Sequence, residues 1–272
     1  MLVALLGLGY AAFRGGGCLA FQSHPIGSTT APYGFAELVP GQPGPRPLVL
    51  VLHGQSGSGP GNAPLTAVDR PPMRTLAWRK LLGQPSVVID EGALVVAPQS
   101  PGDWEPAKLD LFVTWLLANR PVDPDRVYLT GPSMGGCGTW RYAAAHPERL
   151  AAVMPVCGSC AATGAIAEGL KTLPVRAFHA WDDEVVPNDF SATWVATIAQ
   201  LRGSPAVEPM KSYPKETEAT FDGTTLEWKP GTEASGNLSL TEYWTGGHGI
   251  FNRVYADEAS WRWLLAQRRS KN

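Results

Sequence analysis

The chain has 272 residues, which suits one large α/β domain better than two small ones. An apolar fraction of 44% is ordinary for a globular core, and a net charge of −2 gives no electrostatic case for binding nucleic acid. No basic run indicates attachment to a membrane surface.

Residues 1–22 form an apolar N-terminal segment ahead of a single domain at residues 23–272. The run MLVALLGLGYAA is too short to span a bilayer and resembles the apolar part of a signal peptide. Cys18-Leu19-Ala20 is a candidate cleavage site, although no Lys or Arg precedes the run. We expect a secreted or periplasmic protein without stable membrane insertion. A cytoplasmic protein with an apolar first strand, or a truncated start, is the alternative.

Apolar runs and helical periodicities alternate along the chain. The runs that predict strands are residues 33–39, 48–52, 94–97, 127–130, 151–156, 175–180 and 238–244. Helical spacing is found at residues 73–82, 109–116, 134–145, 190–201 and 259–267. Near-continuous apolar strands that alternate with helices predict an α/β fold, with a mostly parallel sheet and helices on both faces.

Residues 208–240 differ from this pattern because they are polar and contain the turn signals Asp222-Gly223 and Pro230-Gly231. Thr220-Phe221 and residues 226–228 flank the first of these turns. The pattern predicts a β-hairpin insertion before the last strand.

The segment RVYLTGPSMGGCGTW, residues 126–140, carries the strongest chemical signal. A short strand leads into G-x-S-x-G around Ser133, and small residues then begin a helix. A serine at such a strand-to-helix turn exposes its hydroxyl, and the glycines let neighbouring chain pass closely. The backbone N–H of Met134, at the helix N-terminus, suits an oxyanion. Ser133 is therefore the candidate nucleophile, against the alternative of a plain glycine-rich turn.

A serine nucleophile needs a base, and the base needs an orienting carboxylate. In this fold both follow the serine in the chain, with the acid before the histidine. His248, in the glycine-flanked loop after the last strand, is the candidate base. Asp183 is the favoured acid and its neighbour Asp182 is the alternative, because adjacent residues on a turn face different ways.

The loop after the strand at residues 48–52 should supply the other oxyanion donor, the backbone N–H of Gln55. Three tryptophans, Trp104, Trp181 and Trp244, lie in or beside loops that follow predicted strands, where the fold places its site. We expect one of the three to line the substrate pocket. The alternative for each is packing in the core.

Cys157 and Cys160 have C-x-x-C spacing, but no partner pair accompanies them. We expect them to pack as small residues near a strand end, and a local disulfide is the alternative if the protein is exported. The sequence predicts no metal and no cofactor.

Three blocks carry a family resemblance: DPDRVYLTGPSMGGCGTWRYAAAHPERLAAVMPVCG, LPVRAFHAWDDEVVP and GGHGIFNRVYADEASWRWLLAQRR. They resemble bacterial α/β-hydrolases of the phospholipase/carboxylesterase or prolyl-oligopeptidase-like esterase type, relatives of feruloyl esterases and polyhydroxybutyrate depolymerases. The resemblance runs from about residue 48 to the C-terminus and implies the α/β-hydrolase fold. In that family the acid is followed by two residues and Val-Pro, which matches Asp183 and not Asp182.

The sequence thus predicts a serine hydrolase that cleaves small-molecule or polymer-linked carboxylic esters through an acyl-enzyme. Ser133, His248 and Asp183 would form the triad, and the Gln55 and Met134 amides the oxyanion hole. A serine peptidase of prolyl-oligopeptidase type and a non-catalytic binding protein on a hydrolase scaffold are the alternatives. Acetyl, feruloyl, lipid and polyester substrates all fit the sequence.

Overall fold

The computed structural model describes residues 21–39, 44–64, 71–162, 168–203, 217–221, 226–230 and 237–269. The apolar N-terminal segment, its candidate cleavage site and the turn of the predicted hairpin at residues 222–225 lie outside these ranges.

The described strands form one ten-stranded sheet. They are β1 Gln22–His24, β2 Gly34–Leu38, β3 Arg46–Val51, β4 Leu94–Gln99, β5 Val122–Pro132, β6 Ala152–Val156, β7 Val175–Ala180, β8 Thr217–Phe221, β9 Leu226–Pro230 and β10 Leu238–Tyr243. Their order in the sheet is β1-β2-β4-β3-β5-β6-β7-β10-β8-β9. From β4 to β10 the six central strands are parallel, while β1 and β2 at one edge and β8 and β9 at the other are antiparallel to their neighbours.

Helices cover both faces of the sheet, as predicted, because the parallel strands alternate apolar side chains between two cores. The helices are α1 Met73–Leu82, α2 Val87–Asp90, α3 Pro106–Asn119, α4 Met134–Ala145, α5 Asp189–Leu201, α6 Phe251–Ala256 and α7 Glu258–Ala266. Helices α3, α4 and α5 pack on one face and the others on the opposite face. Within the described ranges, none of these helices has the length and apolar character needed to cross a membrane.

The predicted hairpin is confirmed in its strands: β8 pairs antiparallel with β9, and β8 also pairs with β10. The insertion therefore continues the sheet beyond the last parallel strand. Strand β5 is longer than the predicted 127–130, because it begins in the polar stretch at Val122. The short β1, α2 and α6 were not predicted, since three to six residues are too few to show a periodicity.

Candidate active site

The turn that carries Ser133 is sharp and strained. Strand β5 ends immediately before this residue and α4 begins immediately after it. Its φ is 56°, in the region that residues other than glycine seldom adopt. A Cβ at Gly131 would lie 2.6 Å, and one at Gly135 2.2 Å, from the carbonyl oxygen of Leu52. The two glycines therefore let the end of β3 pass directly behind Ser133, which is the packing that G-x-S-x-G predicts.

The side chains of Ser133, His248 and Asp183 form a hydrogen-bonded row. The His248 Nε2 atom is 2.9 Å from Ser133 Oγ, and Nδ1 is 2.8 Å from Asp183 Oδ2 and 3.1 Å from Oδ1. A carboxylate only accepts hydrogen bonds, so Nδ1 carries the ring proton and Nε2 is left to accept the serine hydroxyl. The order and the tautomer are those of a Ser-His-Asp triad.

Asp183 is held by more than the base. Its side chain is fully buried, and Oδ1 accepts the backbone N–H groups of Val185 and Val186, both at 2.9 Å. Burial acts to raise the pKa of the Asp183 carboxyl, but hydrogen bonds from neighbouring imidazole rings and amides outweigh it and hold the pKa well below its usual range. The carboxylate is therefore charged wherever His248 needs a partner.

Asp182 lies in the same turn and has a different set of partners. Its carboxylate accepts the N–H of Gly247 at 2.7 Å and that of Gly246 at 3.2 Å. Both glycines have positive φ, 140° for Gly246 and 55° for Gly247. Asp182 thus fixes the loop that leads into His248, and it is Asp183 that reaches the ring.

One of the two predicted oxyanion donors, Gln55, lines a cavity beside Ser133. Its volume is about 330 Å³, and it is lined by Gly54, Gln55, Ser56, Pro132, Ser133, Val185, His248 and Phe251. A Cβ at Gly54 would lie 3.6 Å from the Cβ of Ser133, so the loop after β3 runs directly beside the nucleophile turn. Among the described residues, no backbone carbonyl accepts a hydrogen bond from the N–H of Gln55 or of Met134. Gln55 lines the cavity itself, and Met134 follows the cavity residue Ser133 as the first residue of α4.

His53 fixes the loop that carries Gln55, and its ring is neutral. The ring Nδ1 lies 2.8 Å from the carbonyl oxygen of Gly54, and Nε2 accepts the N–H of Ser100 at 3.0 Å. A proton on Nε2 would oppose that N–H, so the hydrogen bonds require the neutral Nδ1–H tautomer. Burial lowers the pKa of His53 to about 4.

Acid is expected to destabilise the fold through His53. Because the pKa of the ring is lower in the folded chain than in the unfolded chain, where it is about 6.5, the unfolded chain binds more protons between these values. The free energy of unfolding should therefore fall by about 2–3 kcal/mol between pH 7.5 and pH 4.5 from this group. Urea denaturation at the two pH values measures the loss.

The matched variant for this test is His53→Gln, which keeps an oxygen that can accept the Ser100 N–H but does not titrate. Its loss of unfolding free energy over the same pH interval should be smaller than that of the wild type by about the same 2–3 kcal/mol. Equal losses in the two proteins would show that another group governs acid stability.

None of the three tryptophans lines the cavity around Ser133. Trp104 is only 2% exposed, and its indole N–H donates to the carbonyl oxygen of His53 at 3.1 Å, so the alternative of core packing is correct for this residue. Trp181 and Trp244 follow β7 and β10 and stack on each other with ring centroids 6.2 Å apart. The cavity is lined instead by residues that include Val185 and Phe251, which were not among the predicted pocket residues.

The cysteine expectation is corrected. Cys160 forms a disulfide with Cys137 of α4, and Cys157 is a buried free thiol. The partner of Cys160 is therefore outside the C-x-x-C pair. The carbonyl oxygen of Ser133 accepts the N–H groups of Cys137 at 3.0 Å and of Ser159 at 3.3 Å, so the crosslink joins the two segments that hold the backbone of Ser133.

Among the described residues, one group of potential metal ligands comes together, Cys157, Asp183 and His248, with donor atoms within 4.8 Å of one another. Burial raises the pKa of the Cys157 thiol to about 12, so the sulfur stays protonated at neutral pH. The Asp183 and His248 atoms already bond to each other. The group therefore suits a proton relay better than a cation.

The sequence and structure were compared with known proteins. No family model matches the sequence. A protein described as "Putative esterase NocK", from Nocardia uniformis subsp. tsuyamanensis, is 31% identical over 187 residues, which are 67% of this chain and 51% of that protein. The chain thus spans about half the length of this curated relative.

Solved structures show the same architecture. A thermostable esterase superposes with a TM-score of 0.62 at 23% identity, over 93% of this chain and 64% of that chain. The acetyl xylan esterase from Aspergillus awamori superposes with a TM-score of 0.58 at 18% identity, over 84% of this chain and 93% of that one. Together with the sheet order and the strand–Ser133–helix turn, these similarities show that the chain has the fold of the α/β-hydrolase superfamily.

Proposed function

We propose that the chain is a serine hydrolase of carboxylic esters. The observation that carries the proposal is the continuous contact from Ser133 Oγ through the His248 ring to Asp183, beside a cavity that Ser133, His248 and Gln55 line. The similarity to an esterase of 31% identity supports the same chemistry. Each part has a defined task in acyl transfer.

In the first half-reaction His248 Nε2 takes the hydroxyl proton as Ser133 Oγ attacks the ester carbonyl carbon. The N–H groups of Gln55 and Met134 donate hydrogen bonds to the carbonyl oxygen and so stabilise the negative charge that develops on it. Asp183 stabilises the imidazolium ion that forms. His248 then gives its proton to the departing alcohol, and the acyl group remains on Ser133.

In the second half-reaction a water molecule takes the place of the alcohol. His248 removes a proton from this water, which attacks the acyl-enzyme, and the returning proton restores the Ser133 hydroxyl as the acid leaves. Every proton moves between groups within hydrogen-bond distance of His248, and the scheme needs no cofactor.

The cavity favours a small acyl group. A volume of about 330 Å³ lies near the lower end of the range for ligand pockets, and Val185, Phe251 and Pro132 give its lining an apolar part. We infer that acetyl and other short acyl esters are turned over faster than long-chain lipid or polyester analogues.

Hydrolysis of p-nitrophenyl esters from acetate to decanoate, together with a feruloyl ester, tests this proposal. The rate should be highest at the short end and fall as the acyl chain lengthens. A fluorophosphonate probe should label the protein once, and digestion should place the label on the peptide that contains Ser133. No turnover of any ester by folded protein, with cleavage of a proline-containing peptide p-nitroanilide, would favour the peptidase alternative instead.

A further inference from the structure

His179 contacts the carboxylate of Asp183, the same group that His248 contacts. The residue lies on β7, four positions before Asp183, and is completely buried. Its Nε2 atom is 3.1 Å from the carbonyl oxygen of Val186 and 3.3 Å from Asp183 Oδ2, and its Nδ1 atom is 2.8 Å from Ser191 Oγ on α5. A histidine in an apolar strand is more often a core residue, so this role could not be predicted from the sequence.

These partners fix the tautomer of the ring. Nε2 faces two oxygens that only accept, so it must carry a proton. If the ring is neutral, Nδ1 is then an acceptor, and the Ser191 hydroxyl, which can donate, supplies its hydrogen bond. The pattern is the reverse of that in His248, where Nδ1 carries the proton towards Asp183. One carboxylate therefore receives N–H groups from two histidines.

We propose that His179 is a positioning residue for the triad, which shares its Nε2–H between Val186 and Asp183 and so fixes the carboxylate oxygen that His248 uses. The proposal rests on the proposed function. Both rings approach Oδ2, while the backbone amides of Val185 and Val186 occupy Oδ1. Without His179, His248 would be the one side chain among the described residues that still contacts Oδ2.

The same contact affects the strength of the base. A donor on Asp183 withdraws part of the charge that would otherwise stabilise the imidazolium form of His248. Loss of this donor should make the imidazolium more stable, so the loss of activity in acid should begin at higher pH. A loosened carboxylate should also lower kcat, because the base is no longer held in line with Ser133.

Other ionisable groups face this row from the neighbouring elements. The Cys157 thiol, in the loop after β6, stays protonated because burial raises its pKa to about 12. Glu242 on β10 is directly opposite His179 in the parallel pairing, and its Oε1 accepts the Asn188 side-chain amide at 2.9 Å. Both remain in place in the variants below, so a difference between those variants belongs to residue 179.

Two substitutions separate the hydrogen bond from the packing. His179→Phe keeps a ring of similar size without nitrogen atoms, and His179→Gln keeps an N–H donor near the Nε2 position. With p-nitrophenyl acetate, we expect the Phe variant to lose roughly ten- to a hundredfold in kcat with little change in KM. Its acid limb in the pH profile of kcat/KM should move to higher pH. The Gln variant should recover most of kcat and restore the limb.

Thermal unfolding of each variant shows that it is folded before rates are compared. If the Phe variant does not fold, His179→Leu serves in its place, since it also removes the Nε2–H donor; it should lower kcat and shift the acid limb in the same direction. A folded Phe variant with unchanged kcat and pH profile would overturn the proposal. So would a Gln variant as impaired as the Phe variant with an unshifted limb.

A readout without turnover separates this proposal from the proposed function. The proton on His248 Nδ1 should give a low-field proton NMR signal, and that signal should move in His179→Phe and return in His179→Gln. If the wild type hydrolyses no ester but the signal responds in this way, the positioning contact stands and the esterase proposal fails. If esters are hydrolysed and neither the signal nor the pH profile responds to the substitutions, the esterase proposal stands and the positioning role of His179 fails.

Discussion

Replacing Ser133 with alanine is expected to lower kcat for the best ester substrate by roughly 10⁵–10⁶, as loss of the nucleophile does in other triad enzymes. The variant loses only the side-chain hydroxyl group, and His248 Nε2 would then have no serine proton to accept. Turnover from the oxyanion amides and substrate binding should still exceed the uncatalysed rate by roughly 10³–10⁴. Labelling by the fluorophosphonate probe should disappear.

The matched control is Ser159→Ala. Ser159 lies in the adjoining loop with an exposed side chain, and only its backbone N–H contacts Ser133. This variant should keep both activity and labelling. Equal labelling of the wild type and of Ser133→Ala would place the nucleophile elsewhere, and equal loss of activity in both variants would indicate damage to the loop instead of lost chemistry.

Asp183→Asn is expected to lower kcat by roughly 10⁴. An asparagine can turn its NH₂ group towards His248 Nδ1, which favours the tautomer that leaves Nε2 unable to accept the serine proton. In this orientation the side-chain oxygen stays at the Oδ1 position, where it still accepts the two backbone amides, so the turn is kept. The effect should therefore appear in kcat, and folding should be checked by circular dichroism.

Asp182→Asn is the comparison for this substitution. Its one remaining oxygen can still accept one of the two glycine amides. The loss of a single hydrogen bond of about 1 kcal/mol should lower kcat by no more than roughly fivefold. Measured in parallel, the two variants decide between adjacent carboxylates. A greater loss of kcat in Asp182→Asn than in Asp183→Asn would contradict the assignment of the acid.

The elements that the sequence predicts well are those whose signal is local. Continuous apolar runs identify the six parallel strands, since both faces of each strand are buried. The motif around Ser133 and the glycine-flanked His248 are local in the same sense. A three-residue strand such as β1 carries too little pattern, and its place in the sheet depends on its pairing with β2.

The parts of the site that could not be predicted depend on the direction of single side chains. Asp182 and Asp183 are neighbours with the same chemistry, so local pattern alone left both open; the family spacing favoured Asp183, and the folded turn brings Asp183 to His248. Trp104 follows a strand, as a pocket residue would, but turns into the core. The roles of His179 and Cys137 depend on partners that are distant in the chain or on another element.

Because Cys137 and Cys160 form a disulfide, the stability of the folded chain depends on the redox conditions around it. Closing a loop with a sequence separation of 23 removes conformational freedom from the unfolded chain worth about 3 kcal/mol in the chain-entropy model. Cytosolic reductants keep such thiols apart, whereas extracellular and periplasmic conditions preserve the bond. The chain is thus expected to be less stable under reducing conditions, and the bond lost there joins the two segments that hold the backbone of Ser133.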